Sequence, residues 1–155
     1  MGYRTARLRG PNAHSRLAFQ RTAAGVTPRA WQRLLRTIAT LVTLDGFAQA
    51  MFAGRLMAGS YDGLDAHSLN GPIMAAGMLL MTLCFAAAWR FGQTTGRSVF
   101  QCAAMTVGTG VEIGLGHREI LAVHVPLGVA LVAGLAAVLV RVWTKPTIEP
   151  EVAAR

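Results

Sequence analysis

The sequence predicts an all-α fold: an integral membrane four-helix bundle made of two similar transmembrane hairpins. Three observations carry this expectation. Of 155 residues, 53% are hydrophobic and only 14% are charged. The apolar residues gather in four continuous runs, each close to the roughly 20 residues that a helix needs to cross a bilayer. The runs do not alternate in polarity, which argues against a closed β-barrel, the other structure that satisfies every backbone group in lipid. Packed as a soluble domain, such runs with short connections would leave almost no polar face for water.

Residues 1–36 read as a basic cytoplasmic tail ending in an interfacial helix. The tail carries Arg4, Arg7, Arg9, Arg16, Arg21, Arg29, Arg33 and Arg36, with no acidic residue before Asp45. Its first 26 residues show no periodicity and read as disordered. Thr27-Pro28 is a helix start, with threonine as N-cap and proline at the first helical position. Trp31, Leu34 and Leu35 then share one face, and Trp31 suits the headgroup level. The tail lacks the interleaved aromatics of a nucleic-acid reader, so no nucleic acid is expected. Anionic lipid headgroups are the expected partners of this tail. An organellar transit peptide is the lesser alternative. No cleavable secretory signal is read, because the first apolar run begins late.

Residues 37–145 hold the membrane domain. The first run, Thr37 to about Gly59, carries Asp45 and Arg55; the second, Ala66 to Trp89, carries no charge. Between them lies Ser60-Tyr-Asp-Gly-Leu-Asp65, in which Asp65 is the expected N-cap of the second helix. A polar, glycine-punctuated connection, Phe91 to Gly96, leads to the third run, Ser98 to Gly116, whose one charge is Glu112. Gly116-His-Arg-Glu119 leads to the uncharged fourth run, Ile120 to Val140. Residues 146–155 form a second cytoplasmic tail. Every lysine and arginine except Arg55 and Arg118 then falls on one side, and the positive-inside rule makes that side cytoplasmic. Both termini are expected inside, in a cell inner (plasma) membrane of bacterial type. Trp89 and Trp143 mark the inner ends of the second and fourth spans. Cys84 and Cys102 face the reducing side and read as small packing residues.

Aligning His67 with His124 matches Gly71 with Gly128, Gly59 with Gly116, and Arg55 with Glu112. The match suggests two hairpins running in the same direction, related by a pseudo-twofold axis along the membrane normal. Imidazole is costly in hydrocarbon and is usually paired or functional there. Glycine four residues on lies on the same helical face and leaves room for a flat group. Two histidines as axial ligands and two clearing glycines are the minimal parts of a b-type haem site in a bundle. The candidate site residues are therefore His67, His124, Gly71, Gly128 and Arg55, with His67 and His124 as ligands of haem iron. A histidine-bridged bundle without cofactor is the competing reading. Met74, Met78 and Met81 continue the His67 face and read as packing. Leu131 and Leu135 continue the His124 face. Pro126 should bend the fourth helix.

Arg55 and Glu112 need partners in lipid. The favoured reading pairs them with each other; the other sets Arg55 on a haem propionate and Glu112 in a proton path. Asp45 receives no role, His117 reads as solvated, and His14 as a tail residue. No catalytic set is visible.

The stretch Ala122-Val-His124-Val-Pro-Leu-Gly128 resembles the fourth-span segment around the haem-ligating histidine of the haem A synthase family. His67-Ser-Leu-Asn-Gly71 is similar to its second-span motif, and Gln101 with Gly108 and Gly110 resembles the texture of the helix between. The resemblance covers about residues 38–142, one four-helix half of that family. Small four-span bacterial membrane proteins share the same texture. The chain departs from the family at Ser68, where an arginine follows the histidine, and at Asp65, which stands two residues before His67 where the family has an adjacent glutamate. What the resemblance implies is a haem-binding bundle with His67 and His124 as axial ligands, serving electron transfer or haem handling. A cofactor-free accessory or assembly subunit, or half of a dimeric transporter, is the alternative. A homodimer or larger membrane complex is the expected assembly.

Overall fold

The computed structural model describes residues 26–144, which form four helices. The amino-terminal tail to residue 25, with His14, and the tail from residue 145 lie outside the described residues. Helix α1 spans Pro28–Met57, α2 Tyr61–Arg90, α3 Gly96–His117 and α4 Leu121–Thr144. Each helix packs antiparallel against two neighbours, so that α1 lies diagonally across from α3 and α2 from α4. The expected all-α class is the observed one.

Three of the four helices, α2, α3 and α4, are long and apolar enough to cross a membrane. Helix α1 is not among them. Arg29, Arg33 and Arg36 occupy its first turns, and Asp45, Gln49 and several threonines interrupt its apolar part. The expected interfacial segment and first span are one continuous helix of 30 residues.

The helix starts follow local chemistry. Thr27 caps α1, its hydroxyl accepting from Ala30 N at 3.2 Å, with Pro28 directly after it. Thr95 caps α3 in the same way, accepting from Ser98 N at 3.4 Å. Helix α2 differs from expectation: its cap is Ser60, accepting from Gly63 N at 3.3 Å, and Asp65 lies inside the helix. The reason is Gly63. A Cβ there would sit 2.7 Å from Leu56 N and 2.9 Å from Arg55 C. The missing side chain lets α2 begin pressed against the end of α1, five residues earlier than an Asp65 cap would allow.

The core runs along the bundle axis. Met74, Met78, Met81 and Phe85 of α2 are buried against Ala39 and Val42 of α1, Cys102 and Met105 of α3, and Leu135 and Val138 of α4. The methionine stripe is thus packing, as its helical spacing predicts. Small residues set the helix spacing: a Cβ on Gly46 would meet Leu135 Cδ1 at 2.9 Å, and one on Gly134 would meet Met105 Cε at 3.1 Å. Hydroxyls knit the seams. Thr106 Oγ1 lies 2.8 Å from Thr82 Oγ1 and donates to Met78 O or Cys102 O, while Thr43 Oγ1 donates to Ala39 O at 2.7 Å. At the end shared by the α1 start and the α2 terminus, the rings of Trp31 and Phe91 lie 5.7 Å apart. Large apolar side chains remain exposed on every helix, among them Leu44, Leu83, Phe100 and Val129.

Candidate functional site

His67 lies nearly two turns into α2, and His124 lies one turn into α4. Although these helices are diagonal, the two rings meet across the bundle axis. Their centroids are 6.0 Å apart and their planes are inclined at 83°. The pairing expected from the sequence is therefore a spatial one.

Each ring is held by the helix that precedes it. His67 Nδ1 lies 3.3 Å from Gln49 O, and Gln49 Nε2 returns a bond to His67 O at 3.0 Å. His124 Nδ1 lies 3.0 Å from Glu112 O and 3.1 Å from Glu112 Oε1. A carbonyl only accepts, so Nδ1 is the protonated nitrogen of each ring. In the neutral imidazole Nε2 then carries the lone pair. No hydrogen bond to either Nε2 occurs among the described residues. Gly116 supports this placement of His124: a Cβ there would meet the ring at 3.1 Å.

Among the described residues, Gln49 and Glu112 each leave one side-chain oxygen unmatched beside the histidine they hold. Gln49 Oε1, Asn70 Nδ2 and Glu112 Oε2 are buried with no hydrogen-bond partner among the described residues. Asn70 stands three residues after His67, on the same side of α2. Each such atom costs about 1–3 kcal/mol when left unmatched.

The sequence-derived site residues divide. His67 and His124 come together, with Gly71 and Gly128 one turn along. The space beside those glycines belongs to α3: a Cβ on Gly128 would lie 2.8 Å from Glu112 Oε1, and one on Gly71 would lie 3.9 Å from Ile113 Cγ1. Arg55 is exposed near the end of α1. The Arg55–Glu112 ion pair does not form, because α1 and α3 are diagonal and Glu112 turns to His124 on the adjacent helix. The residue that stands to His67 as Glu112 stands to His124 is Gln49. Gly59 and Gly116, matched in the alignment, also differ: Gly59 takes a positive φ of 86° after α1, whereas Gly116 lies under His124. His117 is exposed, its Nδ1 bonding its own helix at Ile113 O. Asp45 is half-buried on α1.

Among the described residues no group of three or more His, Cys, Asp or Glu side chains converges to hold a bare metal ion. Gln49 and Asn70 were missed as site residues. Their signal was an amide within an apolar stretch, weaker than that of an imidazole. Set against family models, curated proteins and solved structures, the chain has no match.

Proposed function

We propose that this chain is an integral membrane protein that binds b-type haem between His67 and His124, for electron transfer or haem handling. One observation carries the reading: two imidazoles 6.0 Å apart, each tied at Nδ1 to a backbone carbonyl. At that spacing one group lying between the two rings would be within reach of both. A hydrogen bond at one nitrogen to orient the other is the usual support of a metal-binding histidine. Two protein ligands alone would not complete a metal's coordination, so the donor set would suit a group that brings further donors of its own.

His67 and His124 would hold the iron, and bound haem would supply one-electron chemistry there. The carbonyls of Gln49 and Glu112 orient the rings. Glu112, beside His124, would add an acidic group next to the bound iron. Gly71 and Gly128 keep their own helices free of side chains on the histidine faces, but Glu112 and Ile113 of α3 would have to turn aside for a flat group; Arg55, exposed at the same end, is the candidate partner of a haem carboxylate.

The membrane placement rests on three long apolar helices and on large apolar side chains left exposed around the bundle. In this reading α1 is the fourth span, and its half-buried Asp45 is a tolerated exception. Basic residues gather at the tryptophan end, which faces the cytoplasm. The paired contacts Gln49–His67 and Glu112–His124 support two hairpins related by a pseudo-twofold axis.

A second reading has its own support. The His124–Glu112 contact already gives the ring an acceptor and fills the space beside Gly128. This favours a histidine-bridged bundle without cofactor, acting as an accessory subunit of a larger membrane complex or as half of a dimeric transporter. Haem content separates the two. Protein purified in detergent from cells supplied with haem should carry close to one haem per bundle, read as the pyridine haemochrome. Protein that is folded and haem-free under those conditions would leave the second reading standing.

A further inference from the structure

At the tryptophan end of the bundle, α1 and α4 enclose a shallow cleft of about 340 Å³ lined by Arg33, Arg36, Thr37, Thr40, Leu41 and Trp143. Among the described residues its walls carry two guanidiniums and no carboxylate. The cleft is braced. Arg36 Nε donates to Val142 O at 3.0 Å, and its guanidinium lies 4.9 Å from the Trp143 ring centroid. Trp143 Nε1 in turn donates to Thr40 Oγ1 at 3.3 Å. These contacts use one face and one nitrogen of Arg36 and leave its terminal nitrogens as a fork, the geometry that matches phosphate oxygens in pairs. Arg33, one turn before, is exposed and adds a second positive charge.

An apolar track leads away from this charge. Leu41 lines the cleft at 57% exposure, Leu44 follows one turn on at 61%, and Val140 of α4, one turn before Trp143, is 59% exposed. Polar recognition at one end and an uncovered aliphatic track at the other fit an amphiphile better than a free anion.

We propose that this cleft binds the phosphate of an anionic glycerophospholipid, with its acyl chains along Leu41, Leu44 and Val140. The site is independent of the histidine pair. It rests on the membrane reading, because the track needs a hydrocarbon phase to hold the chains. It concerns a formed site within the helices, distinct from diffuse attraction of the basic tail to headgroups.

Native mass spectrometry of the full chain in detergent tests it, with phosphatidylglycerol and phosphatidylcholine of identical chains at equal concentration. Selective retention of phosphatidylglycerol is expected, weakened about fivefold for each guanidinium removed in Arg33→Gln and in Arg33→Gln/Arg36→Gln. Arg36→Lys keeps the charge without the fork and should fall between wild type and Arg36→Gln. Among the described residues Arg33 makes none of the contacts that hold Arg36, so Arg33→Gln is informative even where Arg36 variants lose helical content. Equal retention of the two lipids, or unchanged retention in folded Arg33→Gln, overturns the proposal. Displacement of the lipid by excess inorganic phosphate overturns the lipid assignment. Resistance of the chain to alkaline carbonate extraction from membranes is measured separately: a chain that is extracted fails the membrane reading, whereas a chain that stays but ignores headgroup charge fails only this site.

Discussion

At the scale of single residues, a backbone carbonyl selects the tautomer of both histidines. Gln49 O and Glu112 O accept from Nδ1, so the lone pair of each neutral ring is at Nε2. Glycines work as locally. Gly63→Ala would drive a Cβ into backbone atoms of α1 at 2.7 and 2.9 Å, which cannot swing aside as a side chain can. This substitution should lower stability by about 1–3 kcal/mol. Gly110→Ala meets nothing within 4 Å and should be neutral or slightly stabilising; thermal unfolding in detergent compares the two. The histidine pair was legible in the sequence because a titratable ring inside an apolar run stands out. Its partners were not. Counting back from each histidine by equal steps led to Arg55, yet His67 meets a residue 18 positions earlier and His124 one only 12 earlier. Helix α1 runs past the site about a turn further than α3 does, and α2 starts about a turn earlier than α4. Spacing along the chain does not reveal such an overhang.

At the scale of helices, caps and periodicity carried most of the information. Thr27-Pro28 begins α1 as the pattern predicts, and the Met74, Met78, Met81 stripe is buried as its spacing predicts. The start of α2 was misread because Ser60 and Asp65 are both good caps, and the choice depends on Gly63 meeting α1, a tertiary contact. The seam between α2 and α3 turns on Thr106, whose hydroxyl lies within 3.1 Å of Thr82 Oγ1, Met78 O and Cys102 O. Thr106→Val keeps the shape and removes these bonds. It should cost about 1 kcal/mol, near the value of interhelical hydrogen bonds in membranes, measured as a shift in the unfolding midpoint. On the adjacent seam, between α3 and α4, Arg141 Nη1 donates to Gln101 Oε1 at 2.7 Å, which gives Gln101 a role between helices.

At the scale of the whole molecule, large apolar side chains are exposed on every helix, while among the described residues the basic side chains concentrate at one end and most acidic ones lie at the other. That distribution fits a bundle lying in a bilayer with its tryptophan end inward. A carboxyl-terminal green fluorescent protein fusion should fluoresce, and a carboxyl-terminal alkaline phosphatase fusion should be inactive. The reverse pattern would place that terminus outside and invert the proposed topology. Composition made the helical class legible. The ring-to-ring meeting of α2 with α4 was less so, since it depends on the cyclic order of helices, and α1 falls short of a clear span because arginines stand at both its ends and Asp45, Gln49 and threonines interrupt its apolar run.

The central claim is that His67 and His124 form one haem site. The most direct measurement is the reduced-minus-oxidised visible spectrum of purified wild type, His67→Ala, His124→Ala and His117→Ala, each checked for helical content. The account predicts a b-type α-band in wild type and His117→Ala, and its loss in both of the other variants. Folded wild-type protein without the band after growth with ample haem, or a band that survives both the His67 and the His124 substitution, would contradict it.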